Sequence, residues 1–75
     1  MKTKAKPRPK PGSIGQRIRE RREALGLLQR DVQQRCDFGT LISEYELDKK
    51  QPSLRNLVKL AAALETTPNT ILGVS

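Results

Sequence analysis

The chain has 75 residues, enough for one small domain, and a domain of this size buries only about 60% of the surface that its unfolded chain exposes. Fifteen Lys and Arg against eight Asp and Glu give a formal charge of +7, which points to an acidic polymer or surface as the partner class. One cysteine and no histidine exclude an intramolecular disulfide and a structural zinc site, and no apolar run approaches the roughly 20 residues of a membrane span, so a soluble protein in a reducing, cytoplasmic setting is expected.

Residues 1–12 read as a flexible basic tail. Its opening, MKTKAKPRPKP, holds Lys2, Lys4, Lys6, Arg8 and Lys10 and no acid; alternating Lys and Pro cannot pack a core and should stay extended. Either it is an arm that touches phosphate or it is a solubilising tail. The remaining chain carries ten bases and eight acids, a net of only +2.

The folded domain is expected over 13–75, all-α, in five short helices. Ser13 with Gln16 three residues on is a capping-box pattern. Ile14, Ile18, Arg22 and Leu25 then share one face of a first helix over 14–25, which Gly26 is suited to end, with Leu27 packing back. Val32 and Cys36, one turn apart, mark a second helix over 29–36. Asp37 and Gly39 interrupt the pattern before Leu41, Ile42, Tyr45 and Leu47 resume it in a third helix over 40–47. Ser53 can cap a fourth helix with a broad apolar face of Leu54, Leu57, Val58, Leu60, Ala61 and Leu64. Thr67 before Pro68 opens a short fifth helix through Ile71 and Leu72. Cys36, on an apolar face, reads as core packing rather than a reactive thiol. Arg19, Arg21, Arg30 and Arg35 read as solvated helix faces.

Two short helices joined by a tight turn have the spacing of a helix-turn-helix. The segments IGQRIRERREALGLLQ, ISEYELDKKQPSL and LVKLAAALETTPNTILG together resemble the phage-repressor-like (Cro-type) helix-turn-helix family over about 14–73. The resemblance implies a compact lambda-repressor-like domain that binds double-stranded DNA as a transcriptional regulator, with no enzymatic activity and no metal or other cofactor. It pairs Arg22 with Glu46 as a structural ion pair beneath the DNA-facing surface, and makes Phe38 an apolar plug between the two helices. It puts Thr40, Leu41 and Glu44 nearest the bases, and Gln29, Ser43, Lys49, Lys50 and Arg55 on phosphates, with Arg17 reaching backbone from the first helix. Glu44 is either a reader of cytosine N4 or a solvated, phosphate-repelling charge. Asp48 stands where many family members have glycine and is expected to face solvent or a base such as Lys49.

The chain departs from the family pattern in its reading element. From Gln29 to Glu46 it is one residue short. Leu28 occupies the place of the cap of the second helix, Gln33 that of a small residue at the helix crossing, and Asp37 that of the glycine that starts the turn. A domain of only +2 should bind DNA weakly alone. A homodimer through Ile71, Leu72 and Val74 would double the contacts on half-sites roughly 34 Å apart; the alternative for Ile71 and Leu72 is simply to close the core. A second class of reading is a helix-turn-helix scaffold serving as a protein-interaction module, an antitoxin surface or a bridging factor.

Overall fold

The computed structural model describes residues 12–38 and 40–73; the basic tail through Pro11, Gly39 and Val74 lie outside them. The chain forms α1 (Ile14–Ala24), α2 (Gln29–Cys36), α3 (Leu41–Glu46), α4 (Leu54–Ala63) and α5 (Pro68–Leu72). Among the described residues there is no strand, and no helix is long and apolar enough to cross a membrane.

Local signals place each helix. Ser13 Oγ accepts the Gln16 N–H at 3.1 Å, as a capping box requires, but Gln16 Oε1 reaches one residue further back, to the Gly12 N–H at 2.6 Å. Gly26, at φ +72°, ends α1; the Gly26 N–H donates to Glu23 O at 2.9 Å and the Leu27 N–H to Arg22 O at 3.1 Å, the paired bonds of a Schellman close. α2 starts at Leu28 with no side-chain cap on its own amides. Asp31 Oδ2 instead accepts the Leu28 N–H at 2.8 Å. Asp37 takes the left-handed conformation that ends α2, at φ +60°, as its type tolerates. Ser53 Oγ and Thr67 Oγ1 accept from Asn56 and Thr70, so α4 and α5 begin where their caps are written. α3 is shorter than expected, beginning at Leu41 and ending at Glu46.

α1 packs on α3 and α5, α2 on α3 and α4, and α4 on α5. Ile18, Val32, Ile42, Leu60, Leu64 and Ile71 are fully buried where these faces meet. The apolar face of α4 is narrower than its sequence suggests. Leu57, Leu60, Ala61 and Leu64 are buried as expected, but Leu54 is 77% and Val58 51% exposed, and Ala63 is buried in their stead. Alanine at position 63 lets α2 lie close, with Cys36 Sγ 3.6 Å from Lys59 O; burial pushes the Cys36 thiol up from its ordinary pKa. Two arginines expected on solvated faces grip the end of α4, Arg35 while remaining exposed as expected and Arg21 half-buried: Arg21 donates to Leu64 O and Glu65 O, and Arg35 to Ala63 O. Their charge meets the orphan carbonyls and negative dipole end of the helix.

Candidate nucleic-acid interface

α2 and α3 are joined by residues 37–40 and fixed to one another from both sides. On the inner side Phe38 packs against the core with its ring edge-on to Tyr45, 5.9 Å between centroids at 88°, which makes it the plug between the helices. The Tyr45 hydroxyl is held in turn by Asn56 Nδ2 at 2.9 Å.

On the outer side a polar cluster does the fixing. Glu46 is 2% exposed, and a carboxylate removed from water needs converging donors. It has three. Arg22 donates through Nε at 2.6 Å and through Nη2 at 3.0 Å, a two-bond fork, and Gln29 Nε2 donates at 3.0 Å. Arg22 Nη1 also donates to Leu27 O at 2.9 Å. The Glu46 carboxylate holds the Arg22 guanidinium above its ordinary pKa, against partial burial, which acts the other way. α1, the start of α2 and the end of α3 are thereby tied to one ion pair. No buried side-chain nitrogen or oxygen among the described residues lacks a partner.

Above this cluster lies a recess of about 320 Å³ lined by Arg19, Arg22, Gln29, Ser43, Glu46 and Leu47. Gln29 and Ser43 meet there, and Thr40, Lys49, Lys50 and Arg55 are exposed on the neighbouring turn, loop and α4 start. Leu41 is half-buried and packs partly against the core. Glu44 is paired with Lys50, Oε1 to Nζ 3.4 Å, so the carboxylate and the cation adjoin at the exposed face of α3.

Three expected positions require correction. Arg17 is not brought to this surface. Its guanidinium occupies the space that a Cβ on Gly73 would fill, and it lines a hollow with Thr70 and Ile71 of α5. Arg19 takes its place at the recess, because residues two apart on a helix point to nearly opposite sides. The sequence did carry that signal: Arg19 lies three positions before Arg22 and so shares its face. Ile71 is 1% exposed and closes the core, so it offers nothing to a second copy; Leu72 is 38% exposed. Asp48, expected to face solvent or a base such as Lys49, is half-buried. Its Oδ1 accepts the Gly15 N–H at 3.1 Å, latching the start of α1 to the end of α3.

A family model described as helix-turn-helix matches residues 18–71. The P22 c2 repressor protein, solved in complex with synthetic operator 9T in the presence of Tl+, is 30% identical and superposes with a TM-score of 0.78 over 84% of this chain and 97% of that one. The restriction-modification controller protein C.AhdI from Aeromonas hydrophila is 33% identical, with a TM-score of 0.76 over 79% of this chain and 91% of that one. The solution structure of the DNA-binding domain of the P22 c2 repressor is 28% identical, with a TM-score of 0.78 over 83% of each chain. No curated protein matches the sequence significantly.

Proposed function

The chain belongs to the helix-turn-helix family, a family of DNA-binding regulators rather than enzymes, and on that premise we propose that it binds double-stranded DNA sequence-specifically as a transcriptional regulator of a prokaryote or phage, with α3 in the major groove. The observation that carries this reading is the α2–turn–α3 unit locked through Arg22, Glu46 and Gln29. It fixes the angle at which α3 leaves the surface, and around the lock lie the cations Arg19, Lys49, Lys50 and Arg55. Thr40, Leu41 and Glu44 are the base-reading positions. Gln29, Ser43, Lys49, Lys50 and Arg55 hold phosphates. Gln29 gives one amide hydrogen to Glu46 and has a second to offer. Glu44 accepts from cytosine N4 once Lys50 swings to a phosphate, so one ion pair is exchanged for two contacts.

The protein acts in the cytoplasm, on the nucleoid, as a homodimer. The described large apolar side chains left outside the core on α4 and α5 are Leu54, Val58 and Leu72, and they supply the surface for a second copy; Val74 lies outside the described residues. The exposure of Leu54 and Val58 also favours a second reading, in which a different protein docks there. Salt separates the two: DNA binding falls steeply as salt rises, whereas an apolar protein contact does not.

Selection from a random duplex pool at about 0.15 M salt, with the full chain and with a chain lacking residues 1–11, tests the proposal. A palindromic motif retained without the tail is the expected result. Binding that is sequence-blind and lost with the tail would refute it.

A further inference from the structure

The recess over the Arg22–Glu46 pair holds a cation that the pair does not use. Arg22 and Glu46 neutralise one another, and their side chains are only 11% and 3% exposed. Arg19, one turn earlier on α1, is 42% exposed and lines the same recess as Gln29 and Ser43. Among the described residues its carboxylate contact is with Glu23, Nε to Oε2 3.2 Å, an i,i+4 pair whose acid is 53% exposed. Exposed pairs of this kind are worth little, so the guanidinium can leave at small cost. Glu23 also lies 4.0 Å from Arg22 Nη2, which puts its negative charge beside two of the residues that line the recess.

Resting on the DNA-binding reading above, we propose that Arg19 is a phosphate-contacting residue of the α3 face and that Glu23 restrains it. In the free domain the Arg19 guanidinium is held along α1 by Glu23. Against DNA it turns to a backbone phosphate beside the one met by Gln29 and Ser43, as a two-pronged donor matched to phosphate oxygens. Glu23 then keeps only its long contact with Arg22 and stands as a like charge near that phosphate, where it opposes binding. The contact is blind to sequence, so it raises affinity for any duplex without altering which motif is chosen.

The test is a salt titration of binding by fluorescence anisotropy, with the enriched duplex and with a random-sequence duplex about two helical turns long, for the full chain and three variants. Arg19→Ala should weaken binding roughly ten-fold on both duplexes and lower the slope of log affinity against log salt by about one. Arg19→Lys should restore the slope. Glu23→Gln should tighten binding to both duplexes several-fold. An unchanged slope in Arg19→Ala, or Glu23→Gln binding no tighter than the original chain, would overturn this assignment and leave the DNA-binding reading standing. If the original chain binds neither duplex, the DNA-binding reading itself falls and this assignment with it.

Discussion

Glu46 remains a carboxylate in a site that is closed to water because three N–H groups from two side chains point at it. Removing either charged partner leaves the other buried alone. Glu46→Ala or Arg22→Ala should therefore cost about 3–5 kcal/mol in a urea melt, and Glu46→Gln with Arg22 intact clearly less, because the amide keeps one acceptor and adds no charge. Equal losses for Gln and Ala at position 46 would show that the charge carries the whole effect and that the acceptor kept by the amide contributes nothing. This pair was legible in the sequence through the motif that carries it. The Asp48–Gly15 bond was not, since its partners are 33 positions apart and no local pattern links a turn aspartate to a distant amide. Arg19 fell between these cases: its face was readable, but what that face adjoins was not.

At the scale of elements, three helices end on an acid in the left-handed region, Asp37, Asp48 and Glu65 at φ +60°, +60° and +56°, where glycine would be unstrained. The same conformation has opposite uses. Glu65 is exposed and its ion pair with Arg35 is long, 3.7 Å, so Glu65→Gly relieves backbone strain and loses little; a gain of up to about 1 kcal/mol is expected, seen as a rise of a few degrees in Tm. Asp48→Gly relieves the same strain but strips the Gly15 amide of its acceptor, and should destabilise by about 1 kcal/mol. A rise in Tm for both variants would mean that the latch contributes nothing. Gly15 is required for the same junction: a Cβ there would stand 2.5 Å from Tyr45 O and 2.8 Å from Glu46 O, so Gly15→Ala has to push α1 off α3. Helix starts were legible because Ser13, Ser53 and Thr67 write them locally. The burial of α4 was misjudged at Leu54 and Val58, since periodicity shows which residues flank an apolar face but not whether a neighbouring helix reaches them.

For the whole molecule, the described domain has a small core and a modest charge, and both features favour pairing. A second copy on Leu54, Val58 and Leu72 would remove apolar surface from water and double the phosphate contacts. Sedimentation should show a concentration-dependent dimer that Leu54→Asp and Leu72→Asp each weaken, with loss of binding to the palindrome but not to a single half-site. A dimer indifferent to both substitutions would place the interface elsewhere. The five-helix architecture and the ion pair were legible from caps, periodicity and motif; what the exposed side of α4 does was not, because an unpartnered face is defined by what is missing from the chain.

On the proposed function, the surface around α3 and the Arg22–Glu46 recess is the DNA face. Backbone amide shifts followed by NMR as the enriched duplex is added test it most directly. The largest changes are expected at Gln29, Thr40, Leu41, Ser43, Glu44 and Lys50, with Arg19 among them and little at Arg17 or Thr70. Changes concentrated on Leu54, Val58 and α5, with α3 unmoved, would contradict it.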